Sequence, residues 1–319
     1  MNISLIYHIN SNYETLKQSL KSIFDQSSHD FEFILIDDNS TDQVKSCVNE
    51  FNFSKLKNFT YINSNQKLGH SFSFNVGLDN TKSKYVYYLG SNVILEKDFI
   101  KKMNSVIKEA DSPDFIVLTN SKKQKDIVKT YKCVNKNLFK VLKPSIKDKI
   151  FNVNFLKKNK IYFENFQYYP IIYLYKCLNV MKNIISVDAH LVNFSTNRKY
   201  TYNLYDTFEQ SDYLINHKSD FNFLKTKENK DLYDFMIIYS IIYTFLYKID
   251  YTYWSKTNLH SPKIIGKALH YSNKWLSENI PNWRENPILV NNELEFDEKT
   301  FDYLKNFRFK LLYVHRKIR

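Results

Sequence analysis

The chain has 319 residues, only four of them glycine, and its 46 Lys and Arg against 33 Asp and Glu give a formal net charge of +13. Average usage of about 7% would give roughly twenty-two glycines, and Gly69, Gly77, Gly90 and Gly266 lie too far apart for a G-x-G-x-x-G fingerprint, a Walker-type phosphate loop or a nucleophile elbow. A hydrophobic content of 43% excludes a disordered chain, and the basic balance points to an anionic partner: nucleic acid, an acidic membrane face or a phosphorylated substrate.

Ile3 to Ile9 is a compact apolar run that predicts a strand buried on both faces, and it is too short for a signal peptide. Ser11 to Glu14 has the form of a capping box, opening a helix whose apolar face is Leu16, Leu20, Ile23 and Phe24. Phe31 to Ile36 predicts a second strand that stops at Asp37-Asp38-Asn39-Ser40. Phe59 to Ile62 and Tyr85 to Leu89 predict two more, with a helix over Ser71 to Asp79 between them. This alternation with short connections predicts an α/β fold built on a mostly parallel sheet flanked by helices. Ligands on such sheets sit at the carboxyl ends of strands, which directs attention to Asp37-Asp38 and to Gly90-Ser91-Asn92.

After Pro113 strands are expected at Phe115 to Leu118, Ile127 to Tyr131 and Ile184 to Val187, with a helix at Ile171 to Met181. From about residue 200 helical patterns dominate, at Leu232 to Tyr247, Ile264 to Leu276 and Phe301 to Val314. The expected organisation is therefore one α/β domain over residues 1–200 and a mainly helical region over 201–319. The longest uncharged apolar stretch, Phe235 to Tyr247, is shorter than the ~20 residues that span a bilayer. Cys47, Cys133 and Cys177 form no CxxC, as expected of a reduced cytoplasmic setting.

Four segments, in order, resemble the family 2 glycosyltransferases, nucleotide-sugar enzymes of the GT-A fold. They are Ser4 to Ile9 with its helix, Phe31 to Asp42 (close to a strand ending in D-D-G-S-T-D), Asn65 to Gly69 with Asn75 to Leu78, and Lys84 to Leu89 with Leu95 to Phe99. Pro281 to Pro287 is similar to a P-N-W-x-x-N element of some bacterial cell-surface polysaccharide transferases. The resemblance implies transfer of a hexose-type sugar from a nucleotide diphosphate, a UDP-sugar in the first place, with inversion at the anomeric carbon. The acceptor it implies is a cell-surface glycan or a lipid-linked glycan. It assigns nucleotide contact to Asp37 or Asp38 and places Lys67, Gly69, Asn75, Ser91 and Asn92 around the same pocket. The ordinary alternative for the Asp pair is that it caps the next helix.

Several family positions are changed. The metal-binding D-x-D reads Gly90-Ser91-Asn92, so a site for Mg²⁺ or Mn²⁺ lacks both carboxylates, and no metal ligand is assigned. The acidic E-D motif falls at Phe166 to Pro170, which holds no carboxylate, leaving Glu164 or Asp188 as candidate bases. Phe74 replaces an arginine, and Arg198 and Lys199 follow the lost Tyr-Arg pair as candidate cations alongside Lys67. Two readings follow: a divergent transferase that uses such cations in place of metal, or a catalytically silent relative that binds other transferases. His8 and His70 flank the expected pocket, although isolated histidines in such places are more often structural. Trp254, Trp275 and Trp283 fit a helical core better than sugar stacking. Residues 301–319 alternate Lys and Arg with Phe and Leu, a pattern suited either to an ordinary packed helix or to an anionic membrane surface. The latter implies peripheral attachment to the inner face of the cytoplasmic membrane. No nucleic-acid-binding module is visible, so no nucleic acid partner is expected.

Overall fold

The computed structural model describes residues 1–9, 13–90, 92–119, 127–143, 145–164, 170–194, 204–243, 262–296 and 301. The chain divides into two compact units, one of residues 1–133 with 143–197, the other of residues 134–142 with 198–319.

The first unit is built on an eight-stranded sheet in the order β3-β2-β1-β4-β8-β6-β9-β7. Strands β1 (Ile3–Ile9), β2 (Glu32–Asp38), β3 (Phe59–Ser64) and β4 (Tyr85–Gly90) are mutually parallel, β1 being central to the four. Beyond the short β5 (Val93–Leu95), β6 (Phe115–Leu118) and β9 (Ile184–Asp188) run the same way. β7 (Ile127–Tyr131) and β8 (Lys149–Asn152) are antiparallel to their neighbours, so the sheet is mixed but mostly parallel. β10 (Val192–Phe194) pairs with β5 in a separate two-stranded sheet.

The apolar runs became strands because helices cover the sheet. Every residue of β1 is buried, as are the first six of β2. Helix α1 (Tyr13–Phe24) buries Leu16, Leu20 and Ile23; the capping box before it lies largely outside the described residues. Helix α2 (Asp42–Glu50) follows the Asp pair, and its N-cap Thr41 makes no side-chain cap bond. Helix α3 (Gly69–Asn80) lies close against β1 at Gly77, where an added Cβ would stand 2.3 Å from Ile6 Cγ2. Gly77 thus serves helix–strand packing. Helix α4 (Phe99–Glu109) had no expectation attached, although its apolar face is fully buried. At the opposite, amino edge of the sheet, buried Glu32 is satisfied by Ser4, Thr81, Ser83 and the Lys82 N–H.

After the short helices α5 (Lys136–Phe139) and α6 (Val153–Lys158), α7 (Pro170–Val180) returns to the sheet of the first unit. The second unit is helical where described: α8 (Leu204–Asn216), α9 (Lys227–Tyr243) and the helix Pro262–Asn279. Trp275 and Trp283 are buried core residues, Trp275 donating to Asp212 at 2.7 Å. The Pro281 to Pro287 stretch forms a corner: Asn282 is left-handed, and Asn286 accepts from the Ile288 N–H while donating to the Asp231 carbonyl. Trp254 lies outside the described residues, as does the basic stretch after Phe301. No described helix is long and apolar enough to cross a membrane.

Candidate active site

The parallel strands end on one edge of the sheet, and the polar groups gather there. Asp37 is fully buried at the end of β2. Its Oδ1 accepts from the Ser40 N–H at 2.8 Å and its Oδ2 from the Tyr61 hydroxyl at 2.6 Å. Burial and this carboxylate push the Tyr61 phenol upward, so it stays protonated and donating.

Asp38 turns to a different helix from the one that follows it. Its oxygens accept the N–H groups of Leu68 and Gly69, the latter at 2.8 Å, at the N-terminus of α3. Gly69 holds a left-handed φ of 81° there, which a side chain would strain. Capping is therefore part of what the Asp pair does, but the capped helix is α3 and not α2. Burial opposes the charge on Asp38. The two backbone N–H groups and His8 outweigh it and hold the carboxyl below its ordinary value. A carboxylate at a helix N-terminus also meets the favourable end of the macrodipole.

His8, 2% exposed at the end of β1, places Nε2 3.2 Å from Asp38 Oδ2. Its ring lies 4.2 Å from that of His70, in the first turn of α3. Burial lowers the pKa of both, His70 to about 3, so both imidazoles are neutral at physiological pH. Neutral His8 donates from Nε2 to the carboxylate, leaving Nδ1 as a buried acceptor with no hydrogen-bond partner among the described residues.

The remaining candidates have separate positions. Lys67 is exposed on the loop between β3 and α3. Asn75 lies about 9 Å along α3 from Gly69 at ~1.5 Å per residue. There it makes paired hydrogen bonds, each 2.9 Å, to the backbone of Phe163. Phe163 packs against Tyr88 of β4 and stacks on Tyr173 of α7 at 4.1 Å. Asn75 thus fixes the segment whose next residue is Glu164, itself ion-paired with Lys176. Asp188, at the end of β9, accepts from Thr119 at 2.9 Å. β8 and β6 stand between β9 and β4, a separation of about 14 Å at ~4.8 Å per strand. Ser91 and Arg198 lie outside the described residues, as do Lys199 and the stretch 165–169.

The position of the family's metal site was tested on the residues present. Asn92 brings its amide oxygen to 3.6 Å from where a Gly90 side chain would begin. Among the described residues no group of three His, Cys, Asp or Glu could hold a metal ion. All four oxygens of Asp37 and Asp38 are engaged with protein donors. A neutral amide and a glycine do not fit Mg²⁺ or Mn²⁺, which want hard, preferably anionic oxygens.

Sequence reasoning missed Tyr61, which holds Asp37 but stood in a run read only as strand.

The profile of the family described as "Glycosyl transferase family 2" matches residues 5–164, half of the chain. A teichoic acid poly(glycerol phosphate) polymerase of Staphylococcus epidermidis is 30% identical over 79 residues, which are 25% of this chain but 11% of that protein. The poly(ribitol-phosphate) beta-N-acetylglucosaminyltransferase TarP of Staphylococcus aureus is 27% identical over 236 residues, covering 69% of this chain and 68% of TarP. Among solved structures, residues 1–349 of S. aureus TarS in complex with UDP-GlcNAc superpose with a TM-score of 0.61 at 16% identity, covering 96% of this chain and 91% of that one. At that identity the superposition establishes the shared fold.

Proposed function

This chain belongs to glycosyl transferase family 2, and from that premise we propose that it transfers a sugar from a nucleotide diphosphate to a cell-surface polysaccharide or lipid-linked glycan. The relatives named for teichoic acid and poly(ribitol-phosphate) chemistry support the acceptor class. The UDP-GlcNAc complex of the TarS fold supports a UDP-sugar donor.

The observation that carries this reading is the fixed carboxylate pair, Asp37 and Asp38, at the joint carboxyl ends of β1 and β2 beneath the N-terminus of α3. A carboxylate immobilised by several donors is a preorganised hydrogen-bond acceptor, suited to a nucleobase N–H or ribose hydroxyl. In the reaction the acceptor hydroxyl oxygen forms a bond to the anomeric carbon as the carbon–oxygen bond to the diphosphate breaks. The electron pair passes to the diphosphate, and the hydroxyl proton passes to a base. Glu164 is the base this reading favours, because Phe163 holds it next to β4, whereas Asp188 lies three strands away. Attack from the face opposite the leaving group inverts the anomeric carbon.

The donor half of the proposal is tested by calorimetric titration with UDP, GDP, CDP and ADP. Saturable binding of at least one, weakened by Asp38→Ala, is expected. If none of the four binds the wild-type protein, the reading fails. Attachment to an anionic membrane through residues 301–319 is a further part of it; deletion of that segment should reduce sedimentation with anionic vesicles, and unchanged sedimentation removes this part.

A further inference from the structure

The leaving diphosphate carries charge that the groups described so far do not offset. The histidines are neutral, the aspartates are negative, and the metal carboxylates are absent. A helix N-terminus would ordinarily serve an anion, yet the leading N–H groups of α3 already donate to Asp38. Lys67 is exposed on the loop before α3, and a further cation stands at the carboxyl edge.

The register of β4 against β8 shows where one stands. Tyr85 pairs with Asn152, Val86 with Phe151 and Tyr87 with Ile150. Because the pair is antiparallel, the residues just before β8 lie at the carboxyl end of β4. The ladder ends at Tyr87 and Ile150, and residues 146–149 form a turn closed by the Lys149 N–H donating to the Ile146 carbonyl at 3.0 Å. Two hydrogen bonds fix the backbone there: the Tyr87 hydroxyl donates to the Lys147 carbonyl at 2.6 Å, and the Leu118 N–H donates to the Asp148 carbonyl at 2.8 Å.

The segment is also anchored from within. Lys149, 0% exposed, donates its ammonium to the carbonyls of Lys143 at 3.0 Å and Ser145 at 2.6 Å and to Asp148 Oδ1 at 2.7 Å. Three donors meet three acceptors, which is what an ammonium needs to remain buried. Lys143, Ser145 and Asp148 are thereby tied to one ammonium, with Lys147 half-exposed beside it.

We propose that Lys147 is the resident cation of the diphosphate subsite, supplying from the turn near the carboxyl end of β4 the positive charge that family members with a D-x-D obtain from a divalent ion, with Lys149 as the positioning residue for that turn. The charge of Lys147 also reaches His70, in the first turn of α3, and contributes to lowering its pKa. As the bond from the anomeric carbon breaks, the electron pair moving onto the diphosphate oxygen is met by the Lys147 ammonium. This inference rests on the reading of the chain as a nucleotide-sugar transferase.

The test separates the two. Wild-type protein, Lys147→Met, Lys147→Arg and Lys129→Met are titrated with the nucleoside diphosphate that binds best and with its nucleoside, with and without EDTA. Losing one charge-assisted hydrogen bond should weaken diphosphate binding by about 10- to 100-fold in Lys147→Met. Nucleoside binding should be unchanged, Lys147→Arg should retain most of the affinity, and EDTA should have no effect. Lys129, exposed on β7, controls for net charge and should bind as wild type does. Diphosphate binding that EDTA abolishes, or that Lys147→Met leaves intact, overturns the proposal and leaves the transferase reading standing. Loss of nucleoside and diphosphate binding alike in Lys147→Met also overturns it, since the residue would then be structural. If the wild-type protein binds no nucleotide, both fall.

Discussion

The two halves of the pocket are built differently. At the ends of β1 and β2 the groups come from strands themselves: Asp37, Asp38 and His8 are each fixed by neighbours one strand or one helix turn away. Around the end of β4 the proposed groups come from segments far along the chain, Glu164 beside a residue pinned to α3 and Lys147 in a turn tied down by Lys149. Strand ends are rigid because the ladder fixes them, and they suit a recognition task that tolerates little displacement. Loop-borne groups are replaceable, and the proposed roles of Glu164 and Lys147 rest on that freedom. The difference explains how a chain can match the family's opening motifs and depart from its later ones while keeping the fold.

The largest effect should come from the loop-borne half. Replacing Glu164 by Gln removes the proposed base while preserving shape, and turnover should fall by about 10²- to 10⁴-fold with little change in donor affinity. Unchanged turnover in a single-turnover transfer assay would move the base elsewhere. Lys149→Met comes next. It leaves Asp148 and two carbonyls without their buried donor, so the chain should lose about 3–5 kcal/mol of stability in urea unfolding. A loss under ~1 kcal/mol would show that the loop does not depend on this lysine.

The strand-end half was largely legible from sequence, and particular residues show why. β1 and β2 announce themselves because burial on both faces requires an unbroken apolar run, and no helix periodicity competes with it. Asp37 and Asp38 stand where such a run stops, a position that depends only on local order. β8 gave no such signal. It has four residues and opens on Lys149, and a wholly buried lysine contradicts the usual link between residue type and burial. Its place is set by pairing with β4 and β6, whose partners lie more than 30 residues away. The same holds for Glu164, whose position depends on a bond from Asn75 to the Phe163 backbone. Asn75 was singled out for the nucleotide, and only the folded chain reveals this other task. Gly77 carried no assigned task in the sequence, and its missing Cβ makes room for Ile6.

His70 joins the two halves, which gives the smallest predicted effect its value. Its ring faces His8 at 4.2 Å, and the charges acting on it come from His8, Lys147 and Asp38, after burial as the dominant influence. In the unfolded chain the imidazole returns to its ordinary value of 6.5, against about 3 when folded. Between those values the unfolded state binds a proton that the folded state refuses, so stability falls as pH drops from about 6.5 toward 3. His8, also lowered, acts in the same direction, and Asp38 adds a further loss at more acid pH as its depressed carboxyl protonates. His70→Gln removes one of these groups, so the fall in Tm between about pH 7 and about pH 5 should be shallower than in the wild-type protein. Lys147→Met should leave the profile parallel to that of the wild-type protein over this window, because it removes one of the lesser influences on a ring that titrates at about 3, well below it. A fall as steep in His70→Gln as in the wild-type protein would mean that burial of this ring does not link its protonation to folding.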